Sequence, residues 1–265
     1  MKLFFQNSVV IKGKFIRYKV MIRILSLLLL FVVSISLSGC FGVYICTEGS
    51  GHLSRQVYEV SSFNKISINV PSNIFIVQDS TPKLEIETDD NLFYFLYVKT
   101  SNDKLIIESE KGLCPRKLDI YITSPDFAEI EVNGNSDIIA QSPLNTEKLA
   151  ILINGSGDII IDSIKTKKVS VEVNGSGDVR VGGITESFNV EINGSGDVQG
   201  VKLVAKEVQV EINGSGDVYV NCQESMKVGI FGSGDVYYLG NPSHSNIEIS
   251  GSGTAKRYSE KSKVR

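Results

Sequence analysis

The chain has 265 residues, of which 42% are hydrophobic, with 24 glycines, no tryptophan and a formal net charge of −3. That length allows one elongated domain or two compact ones, and abundant glycine without tryptophan suits an all-β chain with many turns. The acid excess excludes nucleic acid as a partner, because phosphate contacts need clustered Lys and Arg.

The N-terminus is an address rather than a structural element. Residues 21–40 read MIRILSLLLLFVVSISLSGC: basic Arg23, an apolar run from Ile24 to Leu37, then Leu37-Ser38-Gly39-Cys40. This resembles the lipobox of bacterial lipoproteins, which implies removal of residues 1–39 and lipid attachment at Cys40. Residues 1–20 are consistent with a misassigned start, since Met21 would itself open a well-formed signal. Residues 1–39 hold six Lys or Arg and no acid, so the mature chain carries 21 basic against 30 acidic groups, a net −9. Residues 40–55 read as a tether between lipid and fold. Membrane attachment is expected through that lipid, in the cell envelope and most simply at the outer membrane.

With Cys40 assigned to lipid, Cys46, Cys114 and Cys222 remain, an odd number for an oxidising compartment. A Cys46–Cys114 bridge is one arrangement open to them. No C-x-x-C spacing occurs, which leaves no zinc-ligand pattern. From Val57 onward strand signals recur: FNKISINV (63–70), NIFIVQ (73–78), KLEIET (83–88), DKLIIES (103–109) and KLDIYIT (117–123), punctuated by Pro71, Asp89-Asp90, Asn102-Asp103 and Pro125. The segment NLFYFLYV (91–98) is dense in aromatics, and any exposed members would form a contact patch.

A glycine corner then repeats seven times: NGNSD (133–137), NGSGD (154–158, 174–178, 193–197, 213–217), FGSGD (231–235) and SGSGT (250–254). Spacings of 18 to 21 residues mark a repeat architecture. The flanks alternate with period two. Ile130, Ile151, Val171, Val190, Val210, Val228 and Ile247 form one aliphatic row, and Ile138, Ile159, Val179, Val198, Val218 and Val236 form another after the corner. Such uniform rows favour a parallel β-helix, in which equivalent positions stack about 4.8 Å apart, over an antiparallel meander. The intervening Glu131, Glu172, Glu191, Glu211 and Glu248 are expected to face water.

The corner residues read as architectural. Gly155, Gly175, Gly194, Gly214 and Gly232 require either a positive φ or a place with no room for a Cβ. Asn133, Asn154, Asn174, Asn193 and Asn213 suit an Asx turn or an amide ladder. Stacked Asp137, Asp158, Asp178, Asp197, Asp217 and Asp235 would repel by roughly 0.9 kcal/mol per neighbouring pair in water. Hydrogen bonds from corner N–H groups offset that, as would a row of calcium ions. The pattern differs from the calcium-binding nonapeptide G-G-x-G-x-D in spacing and in period, and one Asp per coil supplies few of the six to eight oxygens calcium takes. A structural ladder without metal or cofactor is the expectation.

The strand order together with the INGSGD and VNGSGD units resembles the head GIN domain family of exported bacterial proteins described as auto-transporter adhesins. The resemblance covers residues 56–257, and the domain is set at 56–258, with 259–265 a polar tail. It implies a right-handed parallel β-helix and an envelope location; the family supplies no binding-site motif to carry over. A β-helix could also be a carbohydrate-active enzyme or a purely structural envelope protein. Against catalysis, the chain has only His52 and His244, no G-x-S-x-G, H-E-x-x-H or Walker pattern, and an Asp row repeated six times where an active site would be unique. The expected role is a non-enzymatic binding scaffold for a glycan or protein. Tyr219, Tyr237 and Arg180, outward beside the corner, are the candidate contact surface, set against their simpler use as strand-stabilising neighbours.

Overall fold

The structure is a computed structural model and describes residues 46–258. The expected signal segment, Cys40 and the 259–265 tail lie outside those residues.

The repeats form a parallel β-solenoid whose coils pair in register on successive faces. On the first face, Glu129–Gly134 pairs with Lys148–Gly155, which pairs with the second half of Ile159–Val173. The series continues through Val179–Ile192, Val198–Ile212 and Val218–Ile230 to His244–Ile249. On the second face, beyond the corner, Asp137–Ala140 starts a parallel series that ends with Val236–Leu239 and Ala255–Arg257. Bulges interrupt the long strands between the faces, for example between Ile161 and Ile164, where each coil turns onto a third side.

Each coil supplies β-branched side chains to the interior because alternate residues of a strand point inward. Both aliphatic rows are buried as expected, from Ile130 through Val228 and from Ile138 through Val236. Burying one such side chain contributes about 1.5–3 kcal/mol, and stacking identical residues lets every coil use the same rotamer environment. The first row opens at the last coil, where Ile247 is 40% exposed, as is its neighbour Ile249 at 42%, because no further coil among the described residues covers them.

The other end is closed, and by a path the sequence does not announce. Strand Lys65–Asn69 is flanked by Glu129–Gly134 on one side and Lys104–Ser109 on the other. Strand Asn73–Gln78 likewise lies between Asp137–Ala140 and Leu118–Ser124. The coil made by residues 63–78 therefore sits between two coils that follow it in sequence. Antiparallel strands then finish the stack: Leu96–Ser101 on Lys104–Ser109, Lys83–Asp89 on Leu118–Ser124, and Leu53–Tyr58 on Lys83–Asp89. The outermost strand Leu53–Tyr58 is six residues long and carries Arg55, and a short strand with a charged side chain is a poor template for further pairing.

The tether assignment for 40–55 is corrected from Cys46 onward. Thr47–Glu48 pairs with Leu113–Cys114, and Cys46 and Cys114 form a disulfide with Cα atoms 5.6 Å apart. Cys222 is a free, buried thiol whose acidity is lowered by burial, pushing its pKa up. The segment is also held by a buried carboxylate: Asp89 accepts the Gly51 N–H at 2.7 Å and the Arg116 N–H at 2.8 Å. Asn91 completes the clasp, accepting the Ser50 N–H and donating to the Glu48 carbonyl, each at 2.9 Å.

Candidate functional site

The corner is a set of continuous hydrogen-bonded columns. Each Asn donates through Nδ2 to the Oδ1 of the Asn in the coil before it: Asn133 to Asn69, then Asn154, Asn174, Asn193 and Asn213 in turn, at 2.7–3.0 Å. Where a Glu stands two residues earlier, the second amide hydrogen reaches it, as Asn174 does to Glu172 at 2.8 Å. These bonds fix the outward Glu row as part of the column.

The Asp column follows the same logic with main-chain donors. Asp137 accepts the N–H of Asp158 at 2.9 Å, and the pattern repeats through Asp178, Asp197, Asp217 and Asp235 at 2.7–2.8 Å. The donor is thus a corner N–H group, that of the next coil's Asp. A carboxylate bonded to an N–H gains a charge-assisted bond that outweighs the screened repulsion of its neighbours. Thr254 ends the column by giving both its N–H (2.7 Å) and its hydroxyl (2.9 Å) to Asp235. Partial burial pushes the Asp235 carboxyl up in pKa. The Thr254 hydroxyl and N–H, with Tyr237 and Lys256, more than reverse this and hold it below the usual carboxylate range. Among the described residues, no three His, Cys, Asp or Glu side chains converge in a way that could hold a metal ion.

The corner glycines are explained by space rather than by φ. A Cβ on Gly155, Gly175, Gly194, Gly214 or Gly232 would lie 1.9–2.1 Å from the carbonyl oxygen of the equivalent glycine in the preceding coil. Gly194 has no positive φ, so the strain expected there from a left-handed backbone is not the reason for glycine. Gly134, first in the column, is the reverse case: its φ is +117° and nothing stands within 4 Å. Ser136 replaces glycine at the fourth corner position because its coil rests on a turn without that motif; its hydroxyl is buried and donates to the Val70 carbonyl.

The expected contact residues fall in one outward row, in the register Arg180, Gln199, Tyr219, Tyr237, Lys256. Tyr219 and Tyr237 stack with centroids 4.8 Å apart and planes at 7°. The Lys256 ammonium covers Tyr237 at 4.7 Å, and Tyr258 meets Tyr219 edge-on. The ring faces are therefore spent on each other. Arg180 lies two coils from Tyr219 and pairs with Asp162 at 3.3 Å. The structure does not gather the three into one patch.

Two aromatic groups were not resolved by sequence reasoning. Within 91–98, Tyr94 is 82% and Tyr97 49% exposed, while Lys111 sits 3.7 Å over Phe95. These side chains stand at the closed end, where the 3-10 turn Phe93–Phe95 breaks strand alternation and turns rings outward. Phe75 and Tyr121 stack at 5.2 Å further along, with Arg55 over Tyr121. Their pairing was hidden because the coil order at this end is not the sequence order. Nearby, hydrogen bonds from Arg55 and then Lys117 hold the Glu87 carboxyl below its usual range.

A family model described as "Putative auto-transporter adhesin, head GIN domain" matches residues 62–242. No curated protein matches the chain. Among solved structures, a "putative adhesin" from Bacteroides fragilis NCTC 9343 superposes with a TM-score of 0.78 at 28% identity, covering 80% of this chain and 100% of that one. A "putative lipid binding protein" from Parabacteroides distasonis ATCC 8503 gives 0.68 at 21% identity, with 81% and 100% covered. A "putative adhesin" from Parabacteroides merdae ATCC 43184 gives 0.65 at 22%, with 80% and 99% covered.

Proposed function

The chain belongs to the head GIN domain family of described auto-transporter adhesins, and from that premise we propose that it is a non-enzymatic, lipid-anchored binding scaffold of the cell envelope. The Cys46–Cys114 disulfide supports export, since such bonds persist in oxidising compartments. The lipobox supports anchoring at Cys40, and only five residues lie between Cys40 and Cys46, at most roughly 20 Å of extended chain.

The observation that carries the binding role is the exposure of Tyr94 and Tyr97 beside the Lys111–Phe95 pair. Tyrosines offer large, stiff, amphipathic area and are enriched at recognition surfaces. A sugar ring or a protein loop can lie against Tyr94 at little cost, because that ring is already out of the core. The Tyr219–Tyr237 pair instead stabilises the last coils, as its closed faces require. The role of the corner is to hold the solenoid stiff so that the surface is preformed.

Two experiments test this reading. Lipid labelling and membrane fractionation of Cys40→Ala should show an unlabelled, released protein; retention in membranes would defeat the anchor. Screening the soluble 41–265 fragment against envelope glycans and host matrix proteins should find a ligand. Failure across both sets would favour a purely structural envelope role.

A further inference from the structure

The amide column has an unfinished end. Asn133, Asn154, Asn174 and Asn193 each donate through Nδ2 and accept at Oδ1, so both ends of the amide are held. Asn213 donates to Asn193 at 3.0 Å and to Glu211 at a longer 3.3 Å. Its Oδ1 accepts no hydrogen bond among the described residues. The next rung is Phe231, whose main-chain N–H goes to the Ile212 carbonyl and whose ring offers no donor. All five of these asparagines precede glycine, the neighbour that least obstructs attack by its own backbone nitrogen on the side-chain amide.

We propose that Asn213 is a self-modification site, the Asn-Gly unit of this chain that converts first to aspartate and isoaspartate. Solvent base removes the Gly214 N–H proton, and the nitrogen attacks Cγ of Asn213. The N–Cγ bond forms, the Cγ–Nδ2 bond breaks, and Nδ2 leaves as ammonia. Water then opens the resulting succinimide at either carbonyl, so no oxidant or reductant enters. The step requires the amide to rotate out of its column. At Asn133, Asn174 and Asn193 this breaks one accepted and two donated bonds, and at Asn154 one of each, whereas at Asn213 only donated bonds are lost, one of them the long 3.3 Å contact to Glu211. Exposure does not make the difference, because Asn154 and Asn193 are exposed as well and both are held at Oδ1.

The product matters to the stack. Isoaspartate lengthens the main chain by one methylene where a Cβ on Gly214 would already approach the Gly194 oxygen to 1.9 Å. The coils beyond Asn213 should loosen first.

The test is peptide mapping of the full mature chain, kept folded in mildly alkaline buffer, scoring the gain of one mass unit and enzymatic methylation of isoaspartate. Asn213 should convert about fivefold faster than Asn193, the factor that one net hydrogen bond is worth. Phe231→Asn should extend the column, slow Asn213 to the rate of the inner rungs, and move the lability to the new last rung. Equal rates at Asn193 and Asn213 in the unaltered chain would overturn the proposal, as would an unchanged Asn213 rate in a folded Phe231→Asn variant.

Discussion

Gly194→Ala isolates the contact on which the corner depends. The added Cβ would sit 2.0 Å from the Gly175 oxygen and 2.9 Å from the Gly175 nitrogen and carbon, all main-chain atoms that cannot swing aside. Reaching an ordinary contact of 3.4 Å requires the two coils to part locally by about 1.4 Å. The Ser195 N–H bond to the Gly175 carbonyl, now 2.8 Å, would then stretch to about 4.2 Å, and the Gly196 bond at 3.3 Å would go with it. Two backbone bonds at about 1 kcal/mol each, with overpacking of about 1–3 kcal/mol, give a loss of about 3–5 kcal/mol. For a fold of this size that lowers Tm by about 10 °C, read by circular dichroism melting. Gly229→Ala is the control, because there the new Cβ meets only the far edge of the half-exposed Phe231 ring, at 3.1 Å. It should melt within about 2 °C of the unaltered protein. If both variants melt together, close approach of the coils is not why the corner is glycine.

Chelation with EDTA, or calcium added at millimolar level, should leave Tm unchanged, since the Asp carboxylates already accept main-chain N–H groups; a calcium-dependent rise of about 10 °C would make the row a metal site. Acid should destabilise the fold. Asp235 and Glu87 have depressed pKa values, so the stability they contribute is present above about pH 4 and is lost as pH falls through their folded values. A Tm flat from about pH 5 to 7 that falls below about pH 4 is expected, and a rise on acidification would contradict it. Asp89→Ala should loosen residues 49–52, seen as faster proteolysis there with the repeat array intact, because the Gly51 and Arg116 N–H groups lose their acceptor while the disulfide still holds Cys46. Tyr219→Ala should cost about 1–2 kcal/mol in stability through the lost Tyr237 stack, measured by thermal melting.

The array was legible because stacking in register forces each coil to repeat its neighbour's residue type. The rows through Val171 and Val179 could be read straight down the column, and the strand NIFIVQ falls on Asn73–Gln78 as expected. The closed end was not legible, because its pairings join residues far apart in sequence without a shared motif: Ile66 sits against Ile130 and Leu105, and Gly51 against Asp89. For the same reason residues 46–55 read as a polar tether although a disulfide and a buried carboxylate hold them. The glycines carried an ambiguity that composition cannot resolve. A positive φ at Gly134 and a missing Cβ pocket at Gly194 select the same residue for different causes. The aromatic segment 91–98 announced a patch, but which rings face outward depends on the turn at Phe93–Phe95.

The direct test of the proposed role is binding of the 41–265 fragment to a panel of envelope glycans and host matrix proteins, measured alongside a Tyr94→Ala/Tyr97→Ala double variant. Exposed rings contribute little to folding, so the variant should keep its Tm while its affinity for the captured ligand falls about 30-fold, the loss typical of an aromatic anchor. Undiminished binding by the variant would place recognition elsewhere on the solenoid, and no binding by either protein would contradict the adhesin reading.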